Sequence, residues 1–218
     1  MPDKLSPLFQ EEIRSASNAR VLQQMQFLIE ADKVKSVFRR NRVLHGERRE
    51  NDAEHSWQLA LMAIVLSEHA SPAVDVLHVV KMLLIHDLVE IDAGDTFAFD
   101  QAAALTQRER EETAAGRIFG LLPSDMAEEI RAVWEEFELQ ATPEARFAKS
   151  MDCLGGGVVP NCHHRGGSWR EAGVTVERVK ALNGAIAAGS PTLWEYAEVL
   201  IDETHHKGFL RSSDAETT

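Results

Sequence analysis

The chain contains only two cysteines, Cys153 and Cys162, and no uninterrupted run of 18 apolar residues. Two cysteines are too few for the disulfide framework of a small secreted protein, so we expect free thiols and a cytoplasmic location. The missing apolar run argues against a transmembrane helix. The N-terminal segment from Met1 to Lys4 also lacks the basic-then-apolar order of a signal peptide.

Positive charge is scarce as well. The chain has 23 lysines and arginines against 35 acidic residues, and its formal net charge is −12. Binding to a nucleic-acid backbone is therefore not expected. Residues 33–49 are the exception, because this segment carries seven basic residues and one acidic residue. Such a segment is usually solvated surface, but it can also attract a small anion.

Strand signals are few, since no stretch alternates apolar and polar residues for long. Helix signals recur instead. A hydroxyl residue precedes a proline, as at a helix start, at Ser6-Pro7, Ser71-Pro72, Thr142-Pro143 and Ser190-Pro191. Apolar residues at helical spacing follow, for example Met126, Ile130, Val133 and Phe137. The sequence therefore predicts an all-α fold.

Two stretches, Ser56–Leu66 and Val74–Val89, are apolar almost all round. Helices without a polar face are buried, so we expect these two to form the centre of a bundle of seven to nine helices. We predict one domain over residues 1–210. The polar residues 211–218 are expected to form a disordered tail.

Ionisable residues cluster around these two apolar stretches. His55 precedes the first stretch, and His86 and Asp87 lie near the end of the second. Glu90 follows His86 by four residues and so shares its helix face. Buried imidazoles and carboxylates need partners, which a divalent cation would supply. A network of hydrogen bonds without a metal is the alternative interpretation.

Taken together, these motifs resemble the HD-domain metal-dependent phosphohydrolases, in particular their 5'-deoxynucleotidase branch. The resemblance covers about residues 33–155. The segments are specific to this family in combination, and no single segment is specific to it alone. The matching segments are Arg48–Trp57, His86–Glu90 with Gly94-Asp95, Trp134–Glu138 and Phe147–Asp152.

The resemblance implies a helical HD-domain bundle whose metal ligands are His55, His86, Asp87 and Asp152. Such a donor set suits a divalent ion of borderline to hard character, so Mn, Co, Mg or Zn is expected. Two-metal relatives and di-iron oxygenases of this superfamily carry extra histidines in the interval that corresponds to Asp87–Asp152 of this chain. This chain has no histidine between Asp87 and Asp152, which predicts one ion per site and disfavours an oxygenase.

The resemblance also assigns roles around the metal. Arg39 would clamp the substrate phosphate, and Arg40 is the neighbouring candidate for the same contact. Glu90 would position the attacking water or accept its proton; the alternative is that Glu90 only supports His86. Asp95 and Thr96 would lie against the sugar or the leaving group.

The implied function is a phosphomonoesterase acting on (deoxy)nucleoside 5'-monophosphates. Two alternatives stay open: hydrolysis of another small phosphate ester or a nucleoside polyphosphate, and a non-catalytic sensor that binds metal and nucleotide. A homodimer is expected, with the C-terminal helices and Trp169 as a candidate contact surface; the alternative for Trp169 is that it only fills a loop.

The segment Gly155–Gly157, directly after the expected ligand Asp152, departs from the family pattern of aliphatic residues and an arginine. Three glycines cost a helix about 3 kcal/mol relative to alanines. We expect the helix either to break here or to pack closely against a neighbour. Cys153, beside the ligand, is expected to be a buried and inert thiol.

Overall fold

The computed structural model describes residues 19–213 of the chain, and α-helix dominates them. Eight α-helices in this range have eight residues or more, which confirms the prediction of an all-α fold with seven to nine helices. They are α1 (Ala19–Ala31), α2 (Asp52–Leu66), α3 (Val76–Ile85), α5 (Gln101–Phe119), α6 (Ser124–Leu139), α7 (Pro143–Asp152), α10 (Val176–Asn183) and α12 (Pro191–His206). Shorter helices are α4 (Glu90–Ala93), α8 (Val159–His163), α9 (Gly167–Glu171) and α11 (Ile186–Gly189).

Three short 3-10 segments and a small hairpin complete the described part. The 3-10 segments are Asp32–Ser36, Ser67–His69 and His86–Val89. The strands β1 (Phe38–Arg42) and β2 (Arg49–Asn51) pair antiparallel, with Phe38 opposite Asn51 and Arg42 opposite Arg49. The hairpin contains most of the basic segment and leads directly into α2.

Helices α2 and α3 pack against each other at the centre, as the sequence predicts. Their inner faces supply fully buried side chains such as Leu59 and Met82. The expectation that α2 and α3 are buried all round is wrong, because Leu77 on α3 is 78% exposed and a stripe on the outer face of α2 is exposed as well. Trp57 is 62% exposed and Val65 is 63% exposed. An apolar composition around the whole helix therefore does not require burial of every face.

Two of the predicted helix starts are confirmed and one is wrong. The hydroxyl of Thr142 accepts a hydrogen bond from the N–H of Ala145 at the start of α7, at 3.1 Å. Ser190 caps α12 in the same way. After Ser71-Pro72 the chain instead forms no helix until Asp75, whose carboxylate caps α3. The Ser6-Pro7 signal lies outside the described residues.

One hydrophobic core extends from α2 to α12, with Trp134, Phe119 and Phe147 among its largest fully buried side chains. The face predicted for α6 is confirmed, since Val133 and Phe137 are buried. No helix in residues 19–213 combines the length and the apolar character needed to cross a bilayer. The core thus holds α2, α3 and α7 rigidly side by side.

The chain after α12 returns to the body of the protein. The N–H of Val176 donates to the carbonyl of Arg211 at 2.9 Å. The hydroxyl of Ser213 donates to Glu177 at 2.6 Å. Residues 211–213 of the expected tail are therefore in contact with α10, and residues 214–218 lie outside the described part. The single domain over residues 1–210 stays a prediction, because residues 1–18 are not described.

The start of α2 generates a stability prediction. Asn51 and Glu54 form a reciprocal capping box, in which the Asn51 side chain accepts from the N–H of Glu54 at 3.0 Å. Asn51→Ala should lower the free energy of unfolding by about 1 kcal/mol, because the first turn loses its cap. Urea denaturation measures the loss. Asn51→Asp keeps a cap acceptor and should unfold within a few tenths of a kcal/mol of the wild type; an equal loss in both variants would contradict this account.

Candidate metal centre

Three helices bring the four predicted metal ligands together. His55 lies in the first turn of α2, His86 and Asp87 directly follow α3, and Asp152 is the last residue of α7. Nε2 of His55 is 3.2 Å from Oδ1 of Asp152 and 3.8 Å from Oδ2 of Asp87. One ligand atom from each of His55, His86 and Asp152 lies within 4.8 Å of the others. The arrangement therefore has the size of a metal site.

The surroundings of His86 are those of a cation ligand. Its Nδ1 lies 2.9 Å from the carbonyl of Leu83, the distance of a donated hydrogen bond, which leaves Nε2 with a lone pair. Nε2 is buried without a hydrogen-bond partner, yet it lies 3.1 Å from Oδ1 of Asp87. Burial lowers the pKa of His86 and so favours the neutral ring. Two facing lone pairs repel each other unless a positive charge lies between them.

His55 is completely surrounded by protein and carboxylates. It is 1% exposed, and its Nδ1 lies 3.6 Å from Oε2 of Glu50. Burial and Arg39 act to lower the pKa of His55, but Asp152 and Glu50 outweigh them and raise it. A carboxylate behind a ligating imidazole is the usual way in which proteins orient such a ring. Glu50 thus supports His55 from the side opposite Asp152.

Lys149 neutralises Asp152 from the other side. Nζ of Lys149 lies 2.8 Å from Oδ2 of Asp152. Burial acts to raise the pKa of Asp152, but Lys149 and His55 together hold it well below its ordinary value. The carboxylate is therefore ionised, with Oδ2 occupied by Lys149 and Oδ1 turned towards His55. Sequence analysis missed Lys149, although its spacing of three residues from Asp152 was available as a signal.

A second group of carboxylates surrounds Arg39. Asp52, Asp87 and Glu90 each offer an oxygen within 4.8 Å of the other two. Nη1 of Arg39 lies 2.8 Å from Oδ2 of Asp87 and 3.5 Å from Oδ1 of Asp52. Burial and the charge of Asp87 raise the pKa of Asp52 to about 7 and that of Glu90 well above its ordinary value. One oxygen each of Asp52 and Glu90 is buried without a hydrogen-bond partner. Sequence analysis missed Asp52, which shares the face of α2 with His55 three residues on.

The predicted substrate residues line a cavity of about 300 Å³ beside these groups. Arg39, Asp95 and Thr96 contribute to its wall, together with Lys149 and Asp152. The Thr96 hydroxyl accepts a hydrogen bond from Arg110 at 2.9 Å. Burial raises the pKa of Asp95. The cavity therefore connects the candidate metal centre to the surface.

The two arginine candidates point to different places. Arg39 lies in the carboxylate group described above, whereas the guanidinium of Arg40 stacks on the ring of Phe97, 4.5 Å from its centroid. Arg40 still lines the cavity. Of the two candidates for the phosphate clamp, the geometry thus favours Arg39.

The segment of three glycines does not break the helix. Residues Cys153–Val158 form a π-helical turn directly after Asp152, and such turns are frequent at functional sites. A Cβ on Gly156 would lie 2.6 Å from Cε1 of His55, and one on Gly155 would lie 2.5 Å from Cδ2 of Leu59. The glycines therefore allow α2 to approach the ligand-bearing end of α7.

Amide and hydroxyl side chains hold this π-helical turn from behind. The amide of Asn41 donates to the carbonyl of Gly156, and the amide of Asn161 donates to that of Gly157 at 2.8 Å. The hydroxyl of Ser168 donates to Asn41 or Asn161, at 2.8 and 2.9 Å respectively. Because Asn41 lies on β1, two residues after Arg39, this network ties the arginine to the turn that follows Asp152. Sequence analysis gave no signal for it.

Two further expectations concern residues near the cavity. Burial raises the pKa of the Cys153 thiol to about 11, which agrees with an inert side chain. Cys153 and Cys162 are both free. Trp169 is 2% exposed within this chain, which contradicts a place in the surface for a second copy and agrees with the alternative that it only fills a loop. It fills the space between α9 and the core instead.

Comparisons with known proteins identify a family and several similar chains. A family model for the HD domain matches residues 31–194. The human protein named 5'-deoxynucleotidase HDDC2 is 33% identical over 139 residues, which cover 63% of this chain and 66% of the human protein. Its bovine counterpart is 32% identical over 130 residues, covering 59% of this chain and 62% of that protein. The alignments thus span less than two thirds of the length of either relative.

A solved structure is similar over nearly the whole described chain. It is the crystal structure of a predicted metal-dependent phosphohydrolase from Magnetospirillum magnetotacticum MS-1, with 47% sequence identity and a TM-score of 0.85. The superposition covers 88% of this chain and 96% of that one. A conserved hypothetical protein from Pyrococcus furiosus shares the fold at 22% identity and a TM-score of 0.53.

Gly156 tests the close approach of α2 and α7. Gly156→Ala should destabilise the metal-free protein by about 1–3 kcal/mol through overpacking. It should also weaken binding of Mn²⁺ at least about tenfold, because the imidazole of His55 is displaced from Asp152. Urea denaturation without metal and fluorescence competition for Mn²⁺ measure the two effects.

Gly116 provides the matched control, because a Cβ there meets nothing within 4 Å and the residue lies inside α5. Gly116→Ala should bind Mn²⁺ like the wild type and be up to about 1 kcal/mol more stable. If Gly156→Ala binds Mn²⁺ with wild-type affinity, the close approach of Gly156 to His55 does not determine the position of the His55 imidazole.

Proposed function

This chain belongs to the HD-domain family, and on that basis we propose that it is a metal-dependent phosphohydrolase acting on (deoxy)nucleoside 5'-monophosphates. The observation that carries the proposal is the convergence of His55, His86 and Asp152, with the buried Nε2 of His86 left without a hydrogen-bond partner. The name of the bacterial structure supports the reaction class, and the names of the human and bovine relatives support the substrate class.

We propose that His55, His86, Asp87 and Asp152 hold one divalent ion, which is Mn, Co, Mg or Zn. Two imidazoles and two carboxylates suit such an ion and leave positions for water and substrate. When bound, an ion of this kind would lower the pKa of a coordinated water and so help to supply a nucleophile. The second group of the described residues that could hold an ion, Asp52, Asp87 and Glu90, contains no histidine and already contacts the guanidinium of Arg39, which supports a single ion and not a di-iron centre.

Arg39 is proposed to bind the phosphate that is removed. Phosphoryl transfer depends mainly on positioning and on stabilisation of negative charge. Asp87 and Asp52 already orient the Arg39 side chain beside the cavity, so little entropy is lost when the phosphate arrives. A guanidinium also binds two phosphate oxygens at once. Arg40 lies at the rim of the same cavity and would contact the substrate further out.

Glu90 is proposed to orient the attacking water and to accept its proton. It is buried beside Asp87 and has an oxygen without a hydrogen-bond partner. Asp95 and Thr96 lie further along the cavity wall, where they would contact the sugar or the leaving oxygen. Asp52, which also contacts Arg39, would help to hold that arginine in place.

Two other functions remain as alternatives with distinct outcomes. The cavity of about 300 Å³ would also admit another small phosphate ester or part of a nucleoside polyphosphate. A sensor without turnover would use the same ligands to bind metal and nucleotide. The buried Glu90 favours an enzyme, because binding alone gives no reason to bury an unpaired carboxyl group.

A homodimer is proposed from the exposed stripe on α2. The stripe contains four exposed apolar residues at helical spacing, so they share one face of α2. They are Trp57, Leu61, Ile64 and Val65. Exposed apolar faces of this kind often mark protein contacts. We also propose a cytoplasmic location, because both cysteines are free. The net charge of −12 supports a small anionic partner over nucleic acid.

The proposed activity is tested by phosphate release from a panel of nucleoside mono-, di- and triphosphates with Mn²⁺, Co²⁺, Mg²⁺ or Zn²⁺. We expect metal-dependent release from 5'-monophosphates, with deoxynucleotides among the best substrates. Faster release from polyphosphates or from other esters would select the first alternative. No release with any combination, together with nucleotide binding, would select the sensor.

Variants of Glu90 test its proposed role with the same panel of substrates. Glu90→Ala and Glu90→Gln should keep the metal and lose at least about 100-fold in kcat, because the attacking water loses its base. Glu128→Gln changes an exposed glutamate on α6 and should leave kcat unchanged. Full activity in both Glu90 variants would remove this residue from the chemistry.

The dimer is tested by sedimentation equilibrium. The wild type should have twice the mass of the chain, and Leu61→Asp should have the mass of one chain because it places a charge in the apolar stripe. Leu105→Asp, at a leucine that is 87% exposed on α5, is the matched control and should stay dimeric. A dimer that survives Leu61→Asp would exclude this face.

A further inference from the structure

A second, open cavity adjoins the catalytic one. Its volume is about 340 Å³, and it shares Arg40, Phe97 and Phe99 with the catalytic cavity. Asp100, Gln101, Ala172 and Arg178 complete its lining. We refer to it as the outer cavity. None of the proposed catalytic steps uses it.

Two arginines are held in the outer cavity by aromatic rings. Cζ of Arg40 lies 4.5 Å from the ring centroid of Phe97, and Cζ of Arg178 lies 5.7 Å from that of Phe99. The two rings contact each other, with centroids 5.5 Å apart. Cation–π contacts of this kind restrain a guanidinium while leaving its N–H groups available. The cavity therefore presents two positive charges on a shared aromatic support.

These charges are not neutralised by the protein. Within residues 19–213, Arg42, Arg117 and Arg131 form ion pairs with carboxylates, but neither Arg40 nor Arg178 does. Asp100 is the acidic residue in the lining, and its Oδ1 caps α5 by accepting from the N–H groups of Ala102 and Ala103. In a chain with a net charge of −12, two unpaired arginines in one cavity form a local site for an anion.

The loop that follows α4 connects the two cavities. Asp95 and Thr96 line the catalytic cavity, Phe97 and Phe99 line both, and Gln101 lines only the outer one. A ligand whose reacting phosphate lies at Arg39 would therefore reach Arg40 and Arg178 with its opposite side if it followed this loop. A second anionic group on the sugar, on the side away from the reacting phosphate, would fit this arrangement.

We propose that the outer cavity is a second anion subsite and that the substrates include nucleotides with a second phosphate on the sugar, of the nucleoside 3',5'-bisphosphate class. This inference rests on the proposed function. Water attacks the 5'-phosphorus, the bond from phosphorus to the 5'-oxygen breaks, and one proton of the water passes to that oxygen. The products are inorganic phosphate and a nucleoside 3'-monophosphate, whose phosphate stays with Arg40 and Arg178.

Arg178 allows a test that leaves the catalytic groups intact. We compare kcat/KM for a deoxynucleoside 5'-monophosphate and for the 3',5'-bisphosphate of the same nucleoside. The wild type should hydrolyse the bisphosphate at least as efficiently as the monophosphate. Arg178→Gln should lower kcat/KM for the bisphosphate by about 3- to 10-fold, the value of one exposed charge-assisted contact, and leave the monophosphate unchanged.

Arg170 is the matched control. It is exposed, forms no ion pair within the described part of the chain, and stacks on Phe209 at 5.7 Å, but it lines neither cavity. Arg170→Gln should leave kcat/KM unchanged for both substrates. An Arg178→Gln variant that loses efficiency equally for both substrates, or for neither, would overturn the subsite, as would a wild type that does not accept the bisphosphate.

Calorimetric titration separates failure of this subsite from failure of the proposed function. A nucleoside 3'-monophosphate, which cannot be a 5'-phosphatase substrate, should bind the metal-loaded wild type and bind Arg178→Gln about 3- to 10-fold more weakly. Equal binding to both would overturn the subsite even if 5'-monophosphates are hydrolysed. Absence of turnover on every 5'-phosphate would refute the proposed function, and the titration would still decide whether the subsite exists.

Discussion

The structure depends on one electrostatic conflict that a cation resolves. The unprotonated nitrogen of His86 faces Asp87, and the two carboxylates Asp87 and Asp152 converge on His55 in a region with almost no access to water. Buried lone pairs and charges of this kind are costly when they are left unpaired. The protein compensates only in part, through Lys149 on one side and Arg39 on the other. A divalent ion at the centre would pair all four side chains at once.

The surrounding fold positions these four side chains. The capping box at Asn51 fixes the start of α2, on which His55 lies one turn later. The π-helical turn after Asp152 removes side-chain bulk where α2 comes closest, and Asn41 and Asn161 hold the carbonyls of that turn. Because Asn41 and Arg39 share β1, the same short strand carries the arginine proposed to bind phosphate and supports the turn after the proposed ligand Asp152. The proposed positions of metal, phosphate and nucleoside are therefore coupled through a few short contacts.

Much of this could be predicted from the sequence, because the informative residues lie at fixed spacings on helices. The helical class followed from local patterns. The family, and with it the meeting of His55, His86, Asp87 and Asp152, followed from the resemblance that these motifs carry, and the roles of these residues as ligands stay predictions. Long-range features could not be read in this way. Lys149 could have been found from its spacing to Asp152, but Asp52 becomes relevant only when Arg39 lies beside it, and no local pattern shows which amide reaches the carbonyl of Gly156. The apolar composition of α2 was also ambiguous, since it does not distinguish a buried face from one that contacts another protein.

The central claim is that four side chains from three helices bind one cation. A crystal structure of the manganese-loaded protein, with anomalous scattering measured at the manganese edge, tests it most directly. The account predicts one ion per chain, about 2.0–2.3 Å from a nitrogen of His55 and of His86 and from an oxygen of Asp87 and of Asp152. An ion bound elsewhere, a site that omits Asp152 or either imidazole, or a second ion bridged through Asp87 would contradict it.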